Sequence, residues 1–228
     1  MRWLEQLLDY IFPRECFGCE KEGEYLCSAC FCQIEYLGDD NCFLCGKSAE
    51  RGICAECRVA SQIDQIVVAT KYTGTIAGRM IESFKFNFVE DLAEKIADIL
   101  VSKIDQGHLE DIFREASLVP IPLFKKRLLE RGFNQSVKIA KQLSPKYNSV
   151  VVPLLARVKE TKQQARLSRE ERFQNVKDVF KVKELAVIPR RVILVDDVLT
   201  TGATFVSATK ALKSAGVSEV ICLAVCHG

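Results

Sequence analysis

With 228 residues, 48% of them apolar, the chain has room for one α/β domain and a small appendage, and no apolar run reaches the ~20 residues of a membrane span. The formal net charge of +2 is unevenly spread: residues 1–63 carry 6 Lys/Arg against 11 Asp/Glu, and residues 64–228 carry 26 against 19. The larger part is therefore the basic one, as an anionic substrate or a nucleic acid would favour.

At the start, Met1-Arg2-Trp3 is followed closely by Glu5 and Asp9, unlike a signal peptide, so the expected location is cytoplasmic, without membrane insertion. Trp3, Leu4, Leu7, Leu8, Ile11 and Phe12 form a helical stripe stopped by Pro13. The acidic polar face argues against anionic lipid and for packing on the protein itself.

Nine of the 11 cysteines lie between residues 16 and 57. Eight form Cys-x-x-Cys pairs: Cys16/Cys19, Cys27/Cys30, Cys42/Cys45 and Cys54/Cys57. A two-residue gap lets both thiolates of a tight knuckle point at one tetrahedral ion, so eight ligands predict two zinc sites. A disulfide framework is the competing reading, and a chain without an export signal disfavours it. Sequential pairing uses the short gaps and groups the first four and the last four cysteines; an interleaved cross-brace is the alternative. With all four positions of each ion taken by protein, both sites are structural, and metal replaces a core in so small a segment. Cys32 is left over as a free thiol.

From residue 64 the pattern turns to α/β. Ile66-Val67-Val68-Ala69 reads as a strand, residues 75–87 and 90–104 as amphipathic helices, and Ser117-Leu118-Val119-Pro120-Ile121-Pro122 as a strand ended by its prolines. Residues 125–141 then hold six basic side chains and one acid, leading into a helix at about 135–143. Such a run describes a solvated face, or, after a strand's carboxyl end, a pyrophosphate site. Residues 157–177, with seven basic residues and three acids, read either as an exposed helix or as a mobile lid. Residues 203–215 form a helix closed by Gly216, and residues 220–226 a last buried strand, with Cys222 and Cys226 as core thiols on one strand face.

The most specific segment is Val192-Ile193-Leu194-Val195-Asp196-Asp197-Val198-Leu199-Thr200-Thr201-Gly202-Ala203-Thr204. A continuous apolar run makes a buried parallel strand, and ligands bind at the carboxyl ends of such strands. Two carboxylates there accept hydrogen bonds from neighbouring ribose hydroxyls and sit near a magnesium ion. The small residues that follow let backbone N–H groups and hydroxyls close around a phosphate at a helix N-terminus. Helix capping alone does not call for two adjacent carboxylates before Thr-Thr-Gly-Ala-Thr.

This segment resembles the phosphoribosyl-pyrophosphate (PRPP) signature of type I phosphoribosyltransferases. Together with the cysteine knuckles, Tyr72…Lys85-Phe86, Val119-Pro120-Ile121-Pro122, Arg131-Gly132-Phe133-Asn134-Gln135 and Thr161…Gln164…Leu167…Arg172…Asn175, the whole series resembles the ComF family of competence-associated proteins. The resemblance implies residues 1–63 as an amphipathic helix plus double zinc ribbon. It implies residues 64–228 as a type I phosphoribosyltransferase-like parallel sheet flanked by helices.

On that resemblance Asp196 and Asp197 are the catalytic pair, holding the ribose hydroxyls and placing magnesium. Thr200, Thr201, Gly202, Ala203 and Thr204 cradle the 5-phosphate. Lys126, Arg127 and Arg131 face the pyrophosphate, with Gln164 and Arg172 in the loop that covers it. Cofactors are magnesium and two structural zinc ions; partners are PRPP, single-stranded DNA and a competence helicase. Two classes of function stay open: a transferase with an unidentified acceptor, and a non-catalytic single-stranded DNA-binding or adaptor protein for which PRPP is only a ligand.

Overall fold

The computed structural model describes residues 14–86, 92–159, 179–184 and 187–228. Two short helices, Ser28–Phe31 (α1) and Ala55–Ser61 (α2), precede strand Gln65–Lys71 (β1). Helices Ile76–Phe86 (α3) and Leu92–Gln106 (α4), strand Ala116–Pro120 (β2) and helices Lys125–Arg131 (α5) and Gln135–Tyr147 (α6) follow. The chain continues through Leu155–Arg157 (β3), Phe180–Val182 (β4), Arg191–Leu199 (β5), helix Ala203–Ser214 (α7) and Glu219–His227 (β6).

Strands β1, β6, β5 and β2 pair in parallel in that spatial order, while β3 and β4 form a small antiparallel pair. The reason lies in the side chains. Residues 192–195 and 220–226 are apolar on both faces and wholly buried, as a parallel sheet covered on two sides requires. On one face, α3, α4 and α6 pack over Val67, Leu118, Ile193 and Leu223; on the other, α7 and the β3–β4 pair cover Ile66, Val119, Leu194 and Val220.

Both exposed edges of the sheet are closed by chain that is not strand. The cysteine-rich segment hydrogen-bonds to β1, with Leu37 N donating to Ala69 O (2.9 Å) and Ile66 N to Arg51 O (3.0 Å). Thr70 Oγ1 adds a bond to Glu35 O at 2.8 Å. At the far edge Leu118 N donates to Val150 O and Val152 N to Leu118 O. Satisfied edges leave no template for pairing with another chain. The two halves of the cysteine module straddle the sheet: Cys16, Cys27 and Cys30 join the apolar layer under α4, and Cys42, Ile53 and Cys54 the layer under α7.

Several expectations change in detail. Helix α6 runs past Pro145 to Tyr147, because a proline so near the C-terminus removes little before Asn148 ends the helix in the left-handed region. The basic run after β2 contains a helix of its own, α5, ended by Gly132 at φ 73°. The β3–β4 pair, three residues a strand, carries too short an alternation to be read from sequence. Cys222 and Cys226 are both buried but fall in opposite layers; Val225 and Cys226 pack on the same side, so the alternation breaks at the strand's end. The amino-terminal stripe from Trp3 to Phe12 and most of the 157–177 run lie outside the described residues.

Gly52 is where the module meets the sheet. Its φ is +70°, and a Cβ there would lie 2.2 Å from Ile66 O and 2.8 Å from the Phe43 ring. Gly46, at φ +79°, has nothing within 4 Å of such a carbon. Gly46→Ala is therefore expected to cost about 1 kcal/mol in strain alone, and Gly52→Ala about 3 kcal/mol or more. Denaturant titration of the two variants separates them; equal losses would mean that the contact with β1 contributes nothing.

Candidate phosphoribosyl site and cysteine clusters

The site is assembled at the carboxyl ends of β5 and β2. Strand β5 ends its buried run at Val195 and delivers Asp196 and Asp197 to the rim. Asp196 Oδ1 accepts from Ser136 Oγ at 2.9 Å and from the Asp197 amide at 3.0 Å. Asp197, 8% exposed, pairs through Oδ2 with Lys85 Nζ at 3.0 Å, and Lys85 stands 5.8 Å over the Tyr72 ring. Burial, then the neighbouring charge of Asp197, pushes the Asp196 carboxyl up to about 7; Ser136 and the backbone amide oppose the rise.

Ser136 reaches Asp196 because of the corner between α5 and α6. Gly132 closes α5 in the left-handed conformation, with its amide on Leu128 O. Phe133 is buried beside Phe84, 5.2 Å between ring centroids. Asn134 then caps α6: its Oδ1 accepts from Ser136 N, and its Nδ2 donates to Ile121 O at the end of β2, both at 2.9 Å. Gln135 is 1% exposed; its Oε1 accepts from Arg131 Nη1 at 3.2 Å, and its Nε2 has no partner among the described residues. What the sequence presents as a basic polar run is a folded corner that brings Ser136 onto Asp196 and Arg131, braced by Gln135, near the carboxylate pair.

Arg131 and Arg157 lie near enough to feel the charge of that pair, and Arg127 lies near both of them. Burial lowers the pKa of Arg131, opposed by Asp197, and Arg127 lowers it further. Arg157, on β3, is lowered by burial and then by Arg127, with Asp196 opposing. A cluster of like charges beside two carboxylates favours a polyanion that can meet several of them at once. Lys126, by contrast, lies on the exposed face of α5. Gln164 and Arg172 lie outside the described residues.

Across the carboxylates, residues 200–204 turn into α7. Gly202 is the N-cap residue at φ 76°, ψ −1°, with Val206 N bonding back to its carbonyl at 2.9 Å. The first amides of a helix have no intrahelical acceptor and point outward. Thr201 Oγ1 is buried without a partner among the described residues, a polar group with unused capacity. The carboxylates and the first turn of α7 thus share the carboxyl end of β5, with Arg131 and Arg157 within electrostatic reach. Reading the sequence alone assigns no role to Lys85, Gln135, Ser136 or Arg157; the Asn-Gln-Ser capping pattern after Gly132 is the signal that points to two of them.

The cysteines gather sequentially. The sulfurs of Cys16, Cys19, Cys27 and Cys30 lie within 4.8 Å of one another, and so do those of Cys42, Cys45, Cys54 and Cys57. Cys19 Sγ is 3.7 Å from Cys27 Sγ, and Cys45 Sγ is 3.6 Å from Cys54 Sγ. A tetrahedral ion with Zn–S bonds of 2.3 Å places its ligands about 3.8 Å apart, whereas a disulfide needs about 2.05 Å. Burial disfavours ionisation of Cys16, but the amides of Cys27, Cys19 and Gly18 turned to its sulfur bring it down to about 6. Cys42 behaves alike, reaching about 7. Both quartets fit a zinc ion.

Residues 128–228 match the phosphoribosyl transferase domain family, and residues 7–58 the double zinc ribbon domain family. The chain is 29% identical over 215 residues to competence protein F of Haemophilus influenzae, covering 90% of this chain and 86% of that protein. It is 28% identical over 198 residues to competence protein ComFC of Streptococcus pneumoniae, with coverage of 86% and 84%. The chain is a homologue of the ComF-type competence proteins. Its architecture is a parallel four-stranded phosphoribosyltransferase sheet flanked by helices behind a double zinc ribbon. The DNA utilization protein YhgH of Escherichia coli is also similar, 29% identical over 153 residues and covering 65% of this chain and 66% of that one. Among the described residues, no helix is long and apolar enough to cross a membrane.

Because the pKa of Asp196 rises on folding, its protonated form favours the native state. That contribution is complete below about 4 and is lost as pH rises through about 7. Asp196→Asn keeps the Oδ1 acceptor and removes the charge. The variant is expected to gain on the order of 1–3 kcal/mol over the parent protein at pH 8 and little at pH 5. Thermal unfolding at both pH values measures this, and an equal difference at pH 5 and pH 8 would contradict the assignment.

Proposed function

We propose that the carboxyl end of β5 binds PRPP with magnesium and supports transfer of the phosphoribosyl group to a nitrogen acceptor, in a protein that serves DNA uptake. The observation that supports it most is that Asp196 and Asp197 end β5 just before the loop 200–204, with Arg131 and Arg157 near enough to feel their charge. The competence role is carried over from the names of the relatives. Two carboxylates suit the 2- and 3-hydroxyls of a ribose, which donate to them. The amides of residues 203 and 204 and the Thr201 hydroxyl suit the 5-phosphate. The guanidiniums suit the pyrophosphate, bidentate donors facing paired oxygens.

In the reaction, a nitrogen lone pair forms the new bond to C1 of the ribose as the bond from C1 to pyrophosphate breaks, and the pyrophosphate leaves with that electron pair. No protein nucleophile takes part; the chain positions the ribose and neutralises the departing charge. Magnesium, when bound, offsets charge on the pyrophosphate and ribose oxygens. In the free protein burial raises the Asp196 carboxyl to about 7, so binding to its ionised form costs more below that pH. Lys85 leaves room for a hydroxyl by yielding its pairing with Asp197 Oδ2.

Calorimetric titration with PRPP and magnesium tests this. Binding is expected to be about tenfold tighter at pH 8 than at pH 6, since the ionised fraction of Asp196 changes by that factor around a pKa of about 7. The double variant Asp196→Asn/Asp197→Asn should lose binding while keeping about two zinc ions per chain. Normal binding in that variant would sink the assignment. PRPP binding without pyrophosphate release, across bases, nucleotides and single-stranded DNA as acceptors, would favour the non-catalytic reading.

A further inference from the structure

Of the two residues between the first ligand pair of the second quartet, Leu44 touches the loop that the proposed function gives to phosphate, and Phe43 touches the strand end beside it. Leu44 lies against Gly202 so closely that a Cβ on Gly202 would stand 2.1 Å from Leu44 Cδ2. Phe43 lies against His227, ring centroids 5.4 Å apart, and the Phe43 carbonyl accepts from His227 Nε2 at 3.2 Å. His227 in turn is registered opposite Leu199, the residue before the loop, and Gly228 N donates to Leu199 O at 2.9 Å. Helix α2, whose N-cap is the ligand Cys54, packs on α7 behind the same loop. One direct contact thus runs from this cysteine quartet to Gly202, a second path runs through His227 to Leu199 just before the loop, and α2 packs on the helix that follows it.

We propose that the second quartet is a positioning device for the phosphate loop, so that zinc at Cys42, Cys45, Cys54 and Cys57 and a phosphoester at residues 200–204 strengthen each other's binding through Leu44 and Phe43. The proposal rests on the reading of that loop as the 5-phosphate site. A four-residue knuckle has no core of its own and keeps its shape only while its thiolates share an ion. Gly202 holds a left-handed conformation with no side chain to anchor it, so the surface pressed against it helps to select that conformation. Coupling between two sites is reciprocal: what the metal adds to phosphoester affinity, the phosphoester adds to metal affinity.

The test uses the full chain with Leu44→Ala and Leu44→Met. Leu44 is half-buried at the margin of the layer under α7, and Leu44→Met keeps most of its apolar contact there. Leu44→Ala should retain both zinc ions and bind PRPP–magnesium about tenfold more weakly. Leu44→Met, which refills the contact, should come within about twofold of the parent protein. In the parent protein PRPP should slow the release of one zinc of the two to a chromogenic chelator, and this protection should vanish in Leu44→Ala. Unchanged PRPP affinity in Leu44→Ala, or zinc release indifferent to PRPP, overturns the proposal. Hydrogen exchange at the amides of residues 203–206 separates this from a failure of the phosphate reading. If the parent protein binds no PRPP, faster exchange in Leu44→Ala still supports the loop-shaping contact, and unchanged exchange refutes it.

Discussion

The parallel pairing of residues 192–195 with β6 on one side and β2 on the other decides where Asp196 and Asp197 end up. Because side chains alternate and the run is buried on both faces, a slip of one residue would expose Val195 and bury a carboxylate among aliphatic side chains. The register is thus held by the same hydrophobic burial that stabilises the sheet. Everything at the rim depends on it: Ser136 meets Asp196, Lys85 meets Asp197, and the chain leaves β5 at the height where α7 can begin.

The cysteine module is joined to that sheet as its edge, rather than as a separate bead on the chain. Its backbone satisfies the free side of β1, and its two quartets lie over opposite faces. Metal binding and sheet closure are in this way one folding problem: the ions shape knuckles whose carbonyls and side chains the sheet then uses. The acidic character of residues 1–63 beside a basic remainder takes a local form in Lys213–Asp64 (2.7 Å) and Lys103–Asp39 (3.1 Å), which tie the module and the residues that follow it to α7 and α4.

The carboxylate pair carries a cost that the rest of the fold absorbs. Two buried like charges raise Asp196 to about 7, and the structure offers a hydroxyl, an amide and the nearby Lys85 rather than a second cation pairing directly with it. Such strain is usual at a binding site, where groups are arranged for a ligand that is absent rather than for each other.

Much of this was legible in the chain itself. The parallel strand, the Asp-Asp-x-x-Thr-Thr-Gly loop and the spacing of the cysteine pairs are local patterns, and local patterns follow from short-range sterics and side-chain period. Their limits are equally physical. Three-residue strands such as β3 carry no period to read, and a run of lysines and arginines looks the same whether it is solvated or folded into the α5–α6 corner. Which cysteines share an ion, which cations face Asp196, and that Leu44 rests on Gly202 are contacts between residues far apart in sequence. The chain determines by itself that a threonine- and glycine-rich loop follows two carboxylates and that eight thiolates come in pairs; only tertiary packing decides that Leu44 of one quartet rests on that loop, because that depends on how the module closes over the sheet edge.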